Sequence, residues 1–591
     1  MPAVLGVERS VTGKRWLHRG AETPDAERIS LTIAQRHGVP DLVARVMAAR
    51  GIAIDDVERY LNPTLREELP DPSSLKGMVE AVERLGKAIM GGETIGLFAD
   101  YDVDGATSAA LLGRFTSAVG GTTLLHVPDR ISEGYGPNAE ALAGLRRRGA
   151  GVVVTLDCGI VAFDVLEKTA ETGLDVVVVD HHMAEPSLPR AIAVVNPNRV
   201  DETGAFGHLA AVGVTFLVVI ALNRHLREAG WYQGRHEPNL MGWLDLVALG
   251  TVCDVVALEG LNRAFVAQGL KVMAQRANPG LKALASIAKI EQKPEAYHLG
   301  FVFGPRVNAA GRVGEADLGA RLLSTEDVTE AMKIAQALDT HNDSRKEIEA
   351  QVQAEAIAQA EQMSSEAPVL VVGGDGWHPG VIGIVAGRLK ERFNRPTCVV
   401  AFDGETGKGS GRSVKGLALG PAVIAAHQSG LLVGGGGHAM AAGFTIERCK
   451  LDAFRTFMSK RFVAELAGEP LVASVTLDGV LAPAGANRSL LDALAKLGPF
   501  GSGNPEPHFA IVSAKIVRAD VVGQNHVRCI FTGADGGKFK GIAFRAMDSD
   551  LGPTLLNHGG RAMHVAGQLR ADDWQGREDV QLFIEDVALS D

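Results

Sequence analysis

The chain has 591 residues, of which 46% are hydrophobic, and a net charge of 59 − 70 = −11. This length indicates roughly three or four domains with buried cores, and the composition excludes a disordered chain. Because there is no overall positive charge, any binding of nucleic acid must come from a local groove. The five cysteines are scattered and form no Cys-x-x-Cys pair, which excludes a zinc ribbon and predicts a reducing, cytoplasmic location.

The N-terminal part of the chain predicts helices and no membrane segment. Residues 1–16 lack the apolar core of a signal peptide, and the longest apolar stretch, residues 209–222, is shorter than the ~20 residues that cross a bilayer. We therefore expect a buried core helix at 209–222. Residues 1–90 show helical spacing of apolar side chains, which predicts a helical lead-in to the unit that follows.

Short apolar runs alternate with helical stretches in residues 91–324. Strands that are apolar on both faces and alternate with helices are typical of a doubly wound parallel sheet, an α/β fold. Ligands of such sheets bind at the carboxyl ends of the strands, where Asp100, Asp157 and Asp180 fall. The predicted strands cover residues 94–98, 122–127, 151–156, 174–179 and 192–195.

The remainder of the sequence predicts three further segments. Residues 325–366 are charged and helical and end before Pro368, so they predict a long helical linker. A smaller α/β unit is expected at 367–465. Residues 470–591 carry short strands with glycine-containing turns, a pattern typical of a small, OB-like β-barrel.

Three carboxylates follow the first of these strands at every second position: Asp100, Asp102 and Asp104. Alternate residues of an extended chain share a face, so their charges need a cation between them. Oxygen ligands suit Mg2+ or Mn2+, and an added imidazole favours Mn2+. Taken alone, the triplet is better explained by an acidic turn that ends a strand, and Asp100 is either a direct ligand or lies behind the other two.

Matching groups occur at the ends of other elements. Asp157 follows a strand, where it is either a helix N-cap or a metal ligand. His181 and His182 follow the next strand, and two adjacent imidazoles are hard to place in a core because each needs partners for both nitrogens. Asp254 lies in an apolar context and needs a charge partner. Together these residues predict a two-metal site, which serves in-line displacement at phosphorus and indicates phosphoester hydrolysis.

Candidate phosphate-binding residues are found outside these acids. Residues 305–314 predict a small-residue loop, and the forked guanidinium of arginine suits phosphate oxygens. The glycine run 434–437 followed by an alanine-rich helix predicts an anion-binding helix N-terminus. The candidates from these segments, and from the end of the second strand, are Arg130, Arg306, Asn308, Arg312, Gly436, Gly437 and His438.

Several motifs occur in an order that resembles the DHH phosphoesterase superfamily, and specifically its RecJ branch of single-strand-specific DNA exonucleases. The resemblance covers nearly the whole chain. The motifs are ADYDVDGATS, TLDCGI, VVDHH, GTVCDVV, PRVNAAGR, WHPGVIGIVAGRL, GGGGHAMAAGF and LGPFGSGNPEP.

The resemblance implies a set of functional residues. Two Mn2+ or Mg2+ ions are expected on six ligands, with Asp157 bridging, and His182, Asp157 and Asp102 are expected to be catalytic. The six ligands are Asp100, Asp102, Asp104, Asp157, His181 and Asp254. Residues 434–444 mark a DHHA1 domain that grips nucleic acid, and a pocket for a DNA 5′ phosphate maps to Ser410, Arg412, Arg130 and Arg312.

The resemblance also implies an activity: 5′ to 3′ hydrolysis of single-stranded DNA in DNA repair and recombination. The expected partners are single-stranded DNA with a 5′ end and a helicase or single-strand-binding protein, with the chain acting as a monomer and without a membrane. Because the sequence ends soon after the OB-like unit, we expect an additional C-terminal domain of some relatives to be absent. Two alternatives stay open, a DHH phosphodiesterase acting on short oligoribonucleotides or cyclic dinucleotides and a non-catalytic replication scaffold of the same fold.

Overall fold

The computed structural model describes residues 2–20, 24–130, 132–364, 367–572 and 579–590. The strands in this part of the chain are β1 (Arg15–His18), β2 (Thr94–Ala99), β3 (Thr122–His126), β4 (Ala150–Leu156), β5 (Asp175–Val179), β6 (Ala193–Val195), β7 (Leu370–Asp375), β8 (Thr397–Asp403), β9 (Thr406–Arg412), β10 (Gly434–His438), β11 (Ala441–Glu447), β12 (Ser474–Leu477), β13 (Gly479–Leu481), β14 (His508–Val522), β15 (His526–Thr532), β16 (Lys538–Ala543), β17 (Ala562–Asp572) and β18 (Asp579–Leu589).

The α-helices in the same part of the chain are α1 (Pro24–His37), α2 (Asp41–Ala49), α3 (Val57–Leu61), α4 (Leu65–Glu68), α5 (Met78–Gly91), α6 (Val103–Ala118), α7 (Ala139–Arg147), α8 (Phe163–Glu171), α9 (Ala211–Glu228), α10 (Leu244–Cys253), α11 (Gly260–Met273), α12 (Pro279–Ile287), α13 (Ala296–His298), α14 (Gly304–Val313), α15 (Leu318–Ser324), α16 (Val328–Gln362), α17 (Ile382–Phe393), α18 (Leu419–Gln428), α19 (Leu451–Leu466), α20 (Arg488–Ala495) and α21 (Leu551–Leu556). They divide between two compact units, one of Glu68–Leu471 and one of Met1–Glu67 with Val472–Asp591.

The unit Glu68–Leu471 contains a five-stranded sheet in the order β3-β2-β4-β5-β6. All neighbouring strands of this sheet are parallel, which confirms the predicted doubly wound α/β core. The strands are apolar on both faces because helices cover both sides of the sheet. The register pairs Ala99 with Leu156 and Leu156 with Val179, so the strands end at one level.

The apolar stretch at 209–222 lies mostly in α9, and every residue of the stretch except Ile220 is buried. This confirms the predicted core helix. No helix in the described part of the chain is long and apolar enough to cross a bilayer.

A second sheet in the same unit has the order β10-β11-β9-β8-β7, in which β7 and β8 are parallel and the other pairs antiparallel. The long helix α16 precedes it, as the charged helical pattern of 325–366 predicts, and the last two residues of that range lie outside the described residues.

Two local predictions in this unit are wrong. The glycine run forms β10 and pairs with β11 in a hairpin, because Ala442, Phe444 and Ile446 alternate with more exposed residues and form a buried strand face where a helix was expected. The predicted loop at 305–314 is helix α14, with Pro305 in its first turn and Val307 and Ala310 buried one turn apart.

The second unit contains a barrel closed by β14, β15, β16, β18 and β17, with β14 also paired to β17. This confirms the predicted OB-like barrel. Residues 1–67 belong to this unit, although the sequence had assigned them to the catalytic unit. The buried faces of α1 and α2 pack in the same apolar core as the barrel, and Trp16 Nε1 donates to Asp586 at 2.8 Å. An amphipathic helix shows which face is buried but does not identify its partner.

Candidate metal centre and phosphate-binding cavity

The carboxyl ends of three neighbouring parallel strands each deliver an aspartate. The ladder continues one residue past each strand, with Asp100 N donating to Leu156 O at 3.1 Å and Asp157 N to Val179 O at 3.0 Å. Asp180 N donates in the same way to Val195 O at 3.1 Å. Because the three aspartates occupy equivalent positions, their side chains leave the sheet at one edge.

Helix α6 begins directly on this edge. Asp102 is its N-cap, and its Oδ1 accepts from the backbone N–H groups of Asp104 at 2.9 Å and Gly105 at 3.1 Å. A Cβ on Gly105 would lie 2.3 Å from the carbonyl oxygen of Asp100, so only glycine permits this approach. The glycine therefore brings the first turn of α6 against the strand end.

Asp104 lies in that first turn and is 1% exposed. Its Oδ2 accepts from Ala211 N at 2.6 Å and its Oδ1 from Val212 N at 2.8 Å. Both donors belong to the N-terminal turn of α9, where partial positive charge favours a carboxylate. Asp104 thus connects the N-terminal turn of α6 to the N-terminal turn of α9.

His181 directs one ring nitrogen at the acids. Its Nδ1 lies 2.9 Å from the carbonyl oxygen of Leu209, which can only accept, so Nδ1 carries the proton and Nε2 has a free lone pair. Nε2 lies 3.3 Å from Asp157 Oδ1, 3.6 Å from Asp254 Oδ2 and 4.0 Å from Asp104 Oδ2. Burial, followed by the charge of His182, lowers the pKa of His181 and favours the neutral ligand form.

The facing atoms of this cluster have no hydrogen bonds. Among the described residues, no partner is found for Asp100 Oδ1, Asp157 Oδ1, His181 Nε2 or Asp254 Oδ2, all of which are buried. Buried polar atoms are normally satisfied, so a converging group of unsatisfied ones fits a cation that the protein is built to hold. Three groups of residues each offer ligand atoms that lie within 4.8 Å of one another. The groups are Asp157, His181 and His182; Asp104, His181 and Asp254; and Asp100, Asp102 and Asp157.

The carboxyl groups repel one another in the absence of a cation. Burial and then the charge of Asp102 raise the pKa of Asp104 to about 7. Burial and then the charge of Asp104 raise the pKa of Asp254 to about 9. The pKa values of Asp100 and Asp157 are also raised well above the usual range, first by burial.

Asp157 has a left-handed backbone, with φ at 61°. This conformation is uncommon for a residue other than glycine and costs of order 1–3 kcal/mol. It turns the chain at the end of β4, and the carboxylate that it positions belongs to two of the three groups of ligand atoms.

Asp180 is a further residue of this site that was not among the candidates from the sequence. It is buried, and its Oδ1 lies 2.7 Å from His182 Nδ1, while its Oδ2 accepts from Ile160 N at 3.0 Å. Burial alone lowers the pKa of His182, but the hydrogen bond and charge of Asp180 outweigh it, so the pKa of His182 is raised. The position of Asp180 directly before the two histidines was the available signal.

Tyr135 is a second residue that the sequence did not indicate. Its hydroxyl lies 3.4 Å from His182 Nε2 and 3.4 Å from the carbonyl oxygen of Asp157. Its ring packs edge-on against Tyr101, whose other neighbour is the guanidinium of Arg130 at 5.1 Å from the ring centroid. These aromatic groups connect the metal centre to a basic region.

That region is a cavity of about 1370 Å³ within the unit Glu68–Leu471. It brings together four of the predicted phosphate-binding residues, Arg130, Arg312, Ser410 and Arg412, which come from three separate segments. Burial and the charge of Arg130 lower the pKa values of Arg312, to about 10, and of Arg412. Three guanidinium groups in one cavity suit a multiply charged phosphate.

Five other predicted phosphate-binding residues do not line this cavity. Arg306 donates to Asp339 at 2.9 Å and to the carbonyl oxygen of Val302 at 2.8 Å, which are contacts of a structural arginine. The five described residues outside the lining are Arg306, Asn308, Gly436, Gly437 and His438.

Comparison with known proteins adds the family. Models of three families match this chain, and they are "DHH family, N-terminal domain" at residues 94–251, "DHHA1 domain" at 366–464 and "RecJ OB domain" at 477–586. The single-stranded-DNA-specific exonuclease RecJ of Dickeya dadantii is 38% identical over 566 residues, covering 93% of this chain and 96% of that protein. The chain belongs to the RecJ family.

Solved structures of this family agree with the fold. The crystal structure of RecJ in complex with Mn2+ from Thermus thermophilus matches with a TM-score of 0.80 and 30% identity, covering 98% of this chain and 80% of that one. A structure of RecJ from the same source in complex with Mg2+ matches with a TM-score of 0.75 and 28% identity, covering 98% and 78% of the two chains. In this RecJ family member, the range matched by the DHH family model includes five of the six predicted ligands and ends before Asp254.

Proposed function

We propose that the chain is a metal-dependent exonuclease that degrades single-stranded DNA in the 5′ to 3′ direction, in DNA repair and recombination. The observation that carries the proposal is the convergence of buried, unsatisfied carboxylate and imidazole atoms beside a cavity lined by three arginines. The first group suits divalent cations and the second suits phosphate, which are the two requirements of phosphodiester hydrolysis.

Six residues would hold two Mn2+ or Mg2+ ions: Asp100, Asp102, Asp104, Asp157, His181 and Asp254. Asp157 is the residue best placed to be shared, because its carboxylate belongs to two of the three ligand sets. Carboxylates with one imidazole favour Mn2+ over purely oxygen-bound Mg2+. When bound, the ions would activate water and neutralise the charge that develops on the phosphate.

His182 would contact the scissile phosphate. Asp180 accepts from Nδ1 and raises the pKa of the ring, which stabilises the imidazolium form, and in that form Nε2 can donate to a phosphate oxygen. Tyr135 is a neighbouring hydroxyl donor, and its raised pKa keeps it protonated. These two side chains therefore supply donors at the point between the acids and the arginines.

The cavity would hold the 5′ end of the strand. Arg130, Arg312, Arg412 and Ser410 are suited to a terminal phosphate, because charge-assisted hydrogen bonds from guanidinium groups are among the strongest that proteins make. Contacts of this kind read the backbone, so we expect little dependence on base sequence. The barrel would bind the strand further along, through basic and aromatic side chains.

The cellular setting is also part of the proposal. We place the enzyme in the cytoplasm, as a monomer acting on ends that a helicase exposes or that a single-strand-binding protein covers. The five cysteines are all free thiols, which supports a reducing compartment.

The two alternatives are less well supported. A phosphodiesterase for short oligoribonucleotides or cyclic dinucleotides would share the metal centre, but it has no use for a barrel that binds long strands. A scaffold without activity would not need the complete set of acids at the sheet edge, and here all six ligands are present.

The test is direct. Purified protein with Mn2+ is incubated with end-labelled single-stranded DNA, duplex DNA and RNA, with chelator as a control. We expect mononucleotides from single-stranded DNA, with loss of label from the 5′ end first. Absence of metal-dependent nucleotide release from single-stranded DNA would overturn the proposal, and release from short RNA alone would favour the first alternative.

A further inference from the structure

The motif WHPG at residues 377–380 forms a turn to which the proposed function assigns no role. Trp377 is buried, and its Nε1 donates to Glu355 Oε2 at 2.6 Å, which attaches the turn to the long helix α16. Arg312 Nη1 donates to the carbonyl oxygen of Gly380 at 2.5 Å, which attaches the other side of the turn to α14. The turn is therefore held at both ends.

The same turn orients the ring of His378. The backbone N–H of Gly380 donates to His378 Nδ1 at 3.0 Å, so in the neutral ring Nδ1 is the acceptor and Nε2 carries the proton. A Cβ on Gly380 would lie 2.9 Å from His378 Nδ1 and 3.0 Å from the carbonyl oxygen of Arg312. Glycine at this position thus permits the contact that selects the tautomer.

His378 lines the cavity that contains Arg130, Arg312 and Arg412. Burial, followed by the charge of Arg130, lowers the pKa of His378, so the ring is neutral near pH 7. The cavity is therefore lined by three guanidinium groups and one neutral imidazole that carries an N–H donor. A neutral donor adds a hydrogen bond without adding a fourth positive charge to a group of mutually repelling cations.

We infer that His378 is a specificity-determining residue that donates from Nε2 to an oxygen of the 5′-terminal phosphate. The inference rests on the proposed function, since it names a further contact to the strand end in the same cavity. A 5′-hydroxyl end lacks the phosphate oxygens that accept from this donor, so His378 would contribute to discrimination between the two kinds of end.

The experiment compares His378→Phe, which removes the donor, with His378→Gln, whose side-chain amide can donate from about the same place. His427→Phe is the matched control, because His427 is exposed on α18 and does not line the cavity. Binding of two otherwise identical single-stranded oligonucleotides, one with a 5′ phosphate and one with a 5′ hydroxyl, is measured in chelator. The ratio of kcat/KM for the two strands is then measured with Mn2+.

We expect His378→Phe to reduce the preference for the phosphorylated strand about 10-fold, mainly through KM, because one hydrogen bond to a charged group is lost. His378→Gln should keep most of the preference, and His427→Phe all of it. Thermal melting shows whether His378→Phe is folded, and His378→Ala replaces it if it is not.

An unchanged preference in a folded His378→Phe or His378→Ala protein would overturn the inference. Because binding in chelator does not require hydrolysis, this outcome is separate from failure of the proposed function. Wild-type protein that binds the phosphorylated strand selectively but releases no nucleotide would overturn the proposed function and leave the role of His378 standing.

Discussion

The metal centre and the cavity next to it are two clusters of like charge in one compact unit, with opposite signs. In the metal centre burial and mutual repulsion raise the pKa values of Asp104 and Asp254, and in the cavity they lower that of Arg312. Each cluster is unfavourable by itself and is stabilised by a ligand of opposite charge, cations in the first case and phosphate in the second. Both clusters therefore indicate their ligands through the electrostatic cost of forming them.

The clusters differ in how the chain assembles them. Asp100, Asp157 and His181 follow neighbouring strands of one parallel sheet, so the topology brings them together. Asp104 and Asp254 join them from the first turn of α6 and the C-terminal end of α10. The arginines come from a loop after β3, from α14 and from β9, which meet only because two sheets and the helix α16 pack in one unit. A substitution in the metal centre should thus weaken the binding of metal but not of phosphate, and a substitution in the cavity should weaken the binding of phosphate but not of metal.

The largest effect is expected for Asp157→Asn. We expect kcat to fall by at least about 100-fold, because the carboxylate belongs to two ligand sets. The affinity for a 5′-phosphorylated strand in chelator should be unchanged, and the melting temperature in chelator should stay equal or rise, since a buried carboxyl with a raised pKa is replaced by a neutral isostere.

Asp164→Asn, an exposed position on α8, is the control for Asp157→Asn and should leave all three quantities unchanged. Near wild-type kcat in Asp157→Asn would show that Asp157 is not a shared ligand. A large drop in strand affinity would show that the two clusters are coupled.

The next largest effect is expected for the pH dependence of stability and of Mn2+ binding. In the folded, metal-free protein the pKa of Asp104 is about 7 and that of Asp254 about 9, both above the value of about 4 in an unfolded chain. Their contribution to stability is greatest below about pH 4 and is lost as the pH rises through these values. Binding of Mn2+ requires the ionised groups, so its affinity rises over the same range.

We therefore expect the difference in melting temperature between Mn2+-loaded and chelated protein to increase from about pH 6 to about pH 8.5. Calorimetry at several pH values measures this difference. Asp254→Asn should reduce the fall in melting temperature of the chelated protein as the pH rises. A difference that does not depend on pH would contradict the assignment of the acids to the metals.

A smaller effect is expected for Arg412→Gln in the cavity. The guanidinium donates from Nη1 to the carbonyl oxygen of Gly411 at 2.8 Å, which leaves its other donors for phosphate. We expect KM for a 5′-phosphorylated strand to rise about 10-fold, with kcat and the melting profile in Mn2+ unchanged. Arg461→Gln, which removes an exposed pair with Glu465 on α19, is the matched control. Equal loss of kcat and metal affinity would argue against separate clusters.

The smallest effect is expected outside both clusters, on the barrel. Phe544 is 51% exposed and packs edge-on against His526 and Phe583. Base stacking on such a side chain is worth about 1–3 kcal/mol, so Phe544→Ala should weaken binding of long single strands by about 5-fold or more. Affinity for strands too short to reach the barrel should be unchanged, and Val517→Ala, also exposed, should have no effect. Equal weakening of short strands would place Phe544 in the main site.

The contrast between the clusters also explains which residues were predictable. Asp100, Asp157 and His181 were found because each follows an apolar strand, and the period of the sheet places strand ends together. Tyr135 was missed because its role depends on which ring lies within hydrogen-bond distance, which spacing along the chain does not show. Asp180 directly precedes the two histidines, and this signal was not used. Arg306 was predicted alongside Arg312 since they share a segment, but on helix α14 only Arg312 lines the cavity.

The sequence by itself determined the parallel sheet, the long linker helix, the barrel and the presence of acidic residues and histidines at the strand ends. These features follow from local periodicity and from residues adjacent to strand ends, both of which are properties of the chain over short distances. The tertiary structure alone decided that residues 1–67 pack with the barrel, that the glycine run is a strand, and that distant segments line one cavity. The physical reason is that a pattern shows which face of an element is buried, whereas its partner is chosen by long-range packing.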